Sequence, residues 1–288
     1  MLPDPASANP LNPSLDKRRV RAAFERAAAS YDRAAVLQRR VAHDMIERLD
    51  LVRLEPSRIL DVGCGTGHAL AALEGRFRRA GLVGLDIAPA MLRRAPRRGR
   101  WLRRRMLVAG DAEALPVAGA SIDLLFSNLT LQWCDGGRAL AEFARVLRPG
   151  GLLMFSTVGP DTLAELRAAW AEADGSVHVH PFADMHDVGD AVLRSGFEAP
   201  VMDVARFTLT YPDVRALLAD LRALGVRNAD PRRRATLTGR ERFRRFEHAY
   251  ERRRDRDGRI PATYEIVFGH AWKPEQAGAG SVRVAFGE

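Results

Sequence analysis

An α/β fold with a doubly wound, largely parallel sheet is what this sequence predicts, and three observations carry the prediction. From residue 58 to residue 157, β-rich runs alternate with helical ones. The first β-rich run ends in a cluster of glycines, and the second ends in an acid. Alternation of this kind builds βαβ units, whose ligands lie at the carboxyl ends of the strands.

The elements follow in order. Residues 1–14 form a leader rich in Pro, Ala and Asn, expected to be disordered, with neither the basic start nor the apolar stretch of a secretory signal. Residues 15–54 read as a helical cap, because Val20, Ala23, Phe24 and Ala27, then Val41, Met45, Ile46 and Leu49, recur at helical spacing. The core spans 55–158, with strands at 58–62, 81–86, 106–109, 122–127 and 152–157. Helices at 69–79, 89–98 and 139–147 separate them, and Arg148, Pro149, Gly150 and Gly151 make a turn into the fifth strand. Residues 159–274 are a helical elaboration with two closing strands. Helices are expected at 162–173, 184–195, 212–224 and 239–254, and strands at 201–209 and 263–272, which makes seven strands in all. The Gly- and Ala-rich tail, 275–288, is expected to be disordered.

Composition narrows the function classes. At 288 residues and 47% hydrophobic content, the chain can bury one large core. No apolar run reaches the roughly 18 residues that a membrane span needs. Two cysteines, Cys64 and Cys134, form no CxxC pair, which argues against a zinc site or disulfide framework and for a reducing cytoplasm. Net charge is +9, and Lys17 and Lys273 are the only lysines among 45 basic residues, so arginine carries the charge. That skew follows from a GC-rich genome as readily as from a surface that steers an acidic partner.

The strongest local signal is Asp61-Val62-Gly63-Cys64-Gly65-Thr66-Gly67, directly after the first strand. Glycines there let the backbone turn sharply and approach a ligand. A dinucleotide fingerprint would place its third glycine at position 68, which is His68. The spacing instead resembles the first motif of the class I S-adenosylmethionine (SAM) methyltransferases, which implies their Rossmann-like seven-stranded sheet. Asp86, ending the second strand, can accept hydrogen bonds from both ribose hydroxyls. The resemblance further implies that Asp111 meets the adenine amino group, that Ile87 and Ala112 sandwich the ring, and that Asp61 lies near the methionine amine. Asn128 is a further cofactor-binding position.

After the fourth strand, Ser127-Asn128-Leu129-Thr130 lacks the proline and aromatic of nucleobase amino-methyltransferases, and Cys134 follows Trp133 rather than proline. These features argue against a nucleobase substrate. Ser127 to Cys134, Arg145 to Gly151, the run from Phe155 to Arg167, His180-Pro181-Phe182 and Pro261-Ala262-Thr263-Tyr264 together resemble the malonyl-acyl carrier protein O-methyltransferases of biotin synthesis. The likeness runs from about residue 15 to 274. A relative with similar late motifs, the arginine hydroxylase that assists complex I assembly, has H-W where this chain has Gln132-Trp133-Cys134. That reading, and a SAM-binding RNA- or protein-interaction module, stay open at this point.

The resemblance implies methyl transfer from SAM to the free carboxylate of a malonyl thioester, on carrier protein or coenzyme A. Tyr31 and Arg145 are the candidates for positioning that carboxylate, and Gln132 and Trp133 for walling the acceptor site. The acidic acyl carrier protein is the expected partner. It would dock on the arginines at 232–234, 240, 242, 244, 245 and 252–254. His178 and His180, with no carboxylate at ligand spacing, point to no metal, and His180 beside Pro181 shapes the substrate side or a turn.

Overall fold

The computed structural model describes residues 15–97, 99, 105–230 and 238–275; the leader 1–14, Arg232–Arg234 and the tail beyond 275 lie outside them. Seven strands form one sheet: β1 (Arg58–Val62), β2 (Gly81–Asp86), β3 (Met106–Ala109), β4 (Ile122–Ser127), β5 (Leu147–Val158), β6 (Glu198–Tyr211) and β7 (Ile260–Trp272). Their order is β3-β2-β1-β4-β5-β7-β6. The first five run parallel, while β7 pairs antiparallel with both β5 and β6.

Burial explains the strand sequences. All six residues of β4 are buried, as a central strand covered on both faces requires. Edge strand β6 alternates exposed and half-buried positions instead. One face of the sheet is covered by α3 (Val36–Arg48), α4 (His68–Arg76), α7 (Ala164–Ala173), α9 (Val214–Ala223) and α10 (Arg240–Glu251). The other face is covered by α6 (Gly136–Val146) and α8 (Met185–Arg194). Asp135 caps α6 by accepting from the Arg138 amide at 3.1 Å, and Phe143 on its inner face is fully buried.

The helical cap divides into three helices, α1 (Lys17–Ala27), α2 (Tyr31–Ala34) and α3, followed by a 3-10 turn, and three further expectations need correction. The break falls where the Ser30 hydroxyl donates to the carbonyls of Ala27 and Ala223 at 3.1 and 2.9 Å, competing with helix continuation. Helix α5 (Pro89–Arg94) stops short of residue 98 because Pro96 disfavours helical backbone at Ala95, whose ψ is 130°. Helix α4 likewise ends at Arg76 rather than 79, with Phe77 non-helical at ψ 69°. The turn at 148–151 is taken up into β5, with Gly150 at φ 72°.

Replacing Phe143 with alanine should lower unfolding free energy by about 3–5 kcal/mol, read as a shifted denaturant midpoint at unchanged slope.

Candidate active site

The strand order reverses between β1 and β4, so a crevice opens at their carboxyl ends. The glycine loop lies there. Gly63, Gly65 and Gly67 have φ of 75°, 53° and 81°, left-handed values that other residues adopt at a cost. A Cβ on Gly63 would stand 2.0 Å from the Thr130 hydroxyl oxygen. The amides of Gly63 and Cys64 donate to the Leu85 carbonyl at 2.7 and 2.9 Å, which ties the loop to the end of β2.

Asp86 sits under that loop. Its carboxylate accepts from the Gly65 amide at 2.9 Å and the Ala88 amide at 2.8 Å. Burial raises its pKa to about 6, against the pull of those two amides. Asp61 is 1% exposed, and its Oδ2 has no hydrogen-bond partner among the described residues. Burial, and then the negative charge of Asp86, push it up to about 8.

The cap closes over this crevice through polar ties. Lys17 Nζ reaches Asp111 Oδ1 at 2.9 Å and Glu113 at 2.7 Å. Thr66 donates to Asp32 at 2.6 Å, and Asn128 Nδ2 donates to the Gln38 carbonyl at 3.0 Å while its Oδ1 accepts from Ser156 at 2.9 Å. Lys17, Asp32 and Gln38 were not singled out from sequence as holding the cap. As one of two lysines in an arginine-rich chain, Lys17 was the visible signal.

Three cavities meet here. A small one of about 70 Å³ is lined by Asp86, Ile87, Asp111, Ala112 and Asn128, with Gly63 and Gly65. A second of about 400 Å³ runs past Asp61 and all three loop glycines. The largest, about 910 Å³, lies beneath the cap and carries Gln132 and Trp133 on its wall. Tyr31 lines all three. Burial, then Asp86 and Asp32, raise its hydroxyl pKa well above the ordinary value, so it stays a neutral donor. Trp133 meets Phe24 of the cap edge-on, with ring centroids 5.4 Å apart. Gln132 is anchored rather than free, donating to the Leu129 carbonyl at 2.8 Å.

Arg145 does not belong with this group. It lines none of these cavities, and its guanidinium is engaged by Glu142 at 2.6 Å and by the carbonyls of Val117 and Leu115, each at 2.9 Å. At the last turn of α6 it braces the segment leading into β4, away from the strands' carboxyl ends. It therefore has no access to a carboxylate bound beside Tyr31. The arginine cluster expected to dock a partner is also partly committed: Arg252 and Arg253 pair with Glu172, and Arg254 with Glu251. Burial raises the Cys134 thiol to about 12, so it is no nucleophile at neutral pH. His178 stacks on Trp170 with centroids 3.7 Å apart and bonds Asp174 at 2.9 Å, a packing role.

Comparison with known proteins adds three findings. A profile described as a methyltransferase domain matches residues 60–155. The crystal structure of the YcgJ protein of Bacillus subtilis superimposes with TM-score 0.58 at 16% identity, over 82% of this chain and 99% of that one. Among curated relatives, malonyl-acyl-carrier-protein O-methyltransferases of Laribacter hongkongensis and Methylovorus sp. are 53% and 52% identical. They cover 90% and 91% of this chain, and in each case 90% of the relative.

Sheet order, glycine loop and matched domain together define a class I, SAM-dependent methyltransferase. The relatives take this one step further. The chain belongs to the malonyl-acyl-carrier-protein O-methyltransferase family.

Gly63→Ala should remove SAM binding and lower the stability of the fold. The left-handed φ alone costs on the order of 1–3 kcal/mol, and the clash with Thr130 adds to it. Calorimetry with S-adenosylhomocysteine checks this; wild-type affinity would contradict the close approach.

Proposed function

We propose that the protein transfers the methyl group of SAM to the free carboxylate of a malonyl thioester on an acidic acyl carrier protein. The product is the methyl ester that opens biotin-precursor synthesis. One observation carries the reading beyond the relatives' names. Among the described residues, the largest of the three cavities is lined by five arginines, Arg18, Arg19, Arg26, Arg222 and Arg227, and by no carboxylate. Such a lining favours an anionic acceptor. Its volume stands near the top of the roughly 300–1,000 Å³ range of small-molecule sites, more than a three-carbon acyl group needs, so it suits a long thioester arm as well. A cytoplasmic setting accompanies the reading, since Cys64 and Cys134 are both free thiols.

The residues fit the cofactor. Asp61 Oδ2, buried without a partner, suits the methionine ammonium; the glycine loop admits the amino acid backbone; Asp86 suits the ribose diol. Asp111, Ile87, Ala112 and Asn128 line the adenine end. When bound, SAM supplies an electrophilic methyl group on a positively charged sulfur.

The protein's task is then alignment. A malonyl carboxylate with an ordinary pKa of about 4 is ionised at neutral pH, so no general base is required. With SAM held by Asp61, the glycine loop and Asp86, its methyl carbon would be open to a carboxylate oxygen, and the sulfur would leave with the electron pair of the broken bond. Rate comes from holding oxygen, carbon and sulfur in line. Tyr31, at the junction of the cavities, is placed to orient the acceptor as a neutral donor. Phe24, Trp133 and Gln132 wall the site and exclude water that would solvate the carboxylate.

Incubation with methyl-labelled SAM and malonyl carrier should put base-labile label on the acyl group; label absent from the acyl group would sink the proposal. Binding should also depend on pH. Asp61, held mostly protonated up to about pH 8 in the free protein, must ionise to meet the ammonium, so complex formation at pH 7 releases a proton. Affinity therefore rises as pH climbs towards about 8. Calorimetry in buffers of different ionisation enthalpy reads the proton, and Asp61→Asn should abolish the slope.

A further inference from the structure

Charge is divided along the depth of the largest cavity. All five of its arginines are exposed, so they ring the mouth. The wall shared with the methyl-transfer side carries neutral groups instead, and one of them is His180. That residue is 4% exposed, yet its Nε2 has no hydrogen-bond partner among the described residues. A buried polar atom left unpaired is costly, and in native proteins it calls for an explanation. The imidazole packs edge-on against Trp133 and Phe182, with ring centroids 6.0 and 4.6 Å away. Trp133 in turn lines both this cavity and the adenosine cavity. His180 therefore stands one aromatic ring from the cofactor side.

The two glutamines that line the same cavity are less suited to grip an anion. Both polar atoms of Gln132 are engaged, by the Leu129 carbonyl and the Thr157 hydroxyl. The unpaired atom of Gln38 is an oxygen, which a carboxylate would repel.

We infer that His180, as a neutral imidazole with its proton on Nε2, donates a hydrogen bond to one oxygen of the substrate carboxylate and leaves the other free to take the methyl group. The inference rests on the methyl-transfer reading above. Burial keeps His180 neutral, lowering its pKa to about 4, while Asp230 pulls it up and Arg167 pushes it further down. A neutral donor orients the carboxylate without quenching its charge. A buried arginine fork would bind both oxygens and blunt the nucleophile. The arginines at the mouth draw the anion in from a distance and stay out of the chemistry.

The test compares His180→Phe, which keeps an aromatic ring without the donor, with His180→Gln, which restores an N–H. In His180→Phe the KM for malonyl carrier should rise about 10- to 100-fold, the loss of one hydrogen bond to a charged group, with SAM affinity unchanged. His180→Gln should recover most of the loss. Inhibition by acetyl carrier, which lacks the carboxylate, should be equal in wild type and His180→Phe; a purely structural role would weaken both ligands. In the unsubstituted protein with S-adenosylhomocysteine, the ring nitrogen resonances of His180 should move when malonyl carrier is added. Wild-type kinetics in His180→Phe, or resonances that stay put, overturn the inference. A wild-type protein that binds SAM but forms no ester overturns the methyl-transfer reading beneath it, and the role of His180 with it.

Discussion

The site depends on one close approach of backbone to side chain, that of Gly63 to Thr130. Strands β1 and β4 are neighbours, so the loops that leave them must share the space above their ends. Thr130 fills part of it, donating its hydroxyl to the Val62 and Asn128 carbonyls, each at 3.2 Å. Only a residue without Cβ can pass beside it. From that contact the other placements follow. Leu85 fixes the loop amides from below, the Asp86 carboxylate holds Gly65, and the loop floor brings Asp61 beneath the crevice.

The cap is a second layer, held by side chains rather than by sheet pairing. Its ties run to three separate loops: Lys17 to the loop after β3, Asp32 to the glycine loop, and the Gln38 backbone to Asn128 after β4. Each is a polar contact at the rim of the crevice, and together they set Tyr31 where the cavities join. Apolar contact adds to them, since Ala27 and Ala28 pack on Ala88 and Met91. The backbone also shows strain at this boundary. Leu129 and Leu163, both on the wall of the largest cavity, have φ of 51° and 55°, and tertiary hydrogen bonds to Ser156 and Thr263 hold them there.

Much of the fold was legible in the sequence, because its signals are local. β1 to β4 fall at the expected residues, since short β-branched and leucine runs bounded by glycine or acid have no competing helical reading. The glycine loop and Asp86 were legible because a motif that holds ligand with its own backbone carries its geometry in its spacing. Contacts between distant segments were not. Nothing local marks Ser30 as bonding a carbonyl at residue 223, so the breaks within the helical cap were not legible. Arg145 was misplaced for a related reason: a residue in the last turn of a helix can face either end of the sheet, and only the fold shows that it faces Leu115 and Val117. His180 carried a weak signal, a histidine before proline, whose meaning comes from Trp133 nearly fifty residues earlier.

The insertion of β7 has a consequence for biogenesis. This strand lies inside the sheet, pairing Leu152 with Trp272 on one side and Tyr211 with Ile260 on the other. A ribosome delivers β5 long before its neighbour, so the nascent chain must carry β5 as an unpaired edge while more than a hundred further residues are made. Zippering of that late strand is a high-contact-order event and a slow one. Open strand edges in the meantime invite pairing with other chains, so arrest or truncation before residue 260 should yield aggregates rather than a smaller working enzyme.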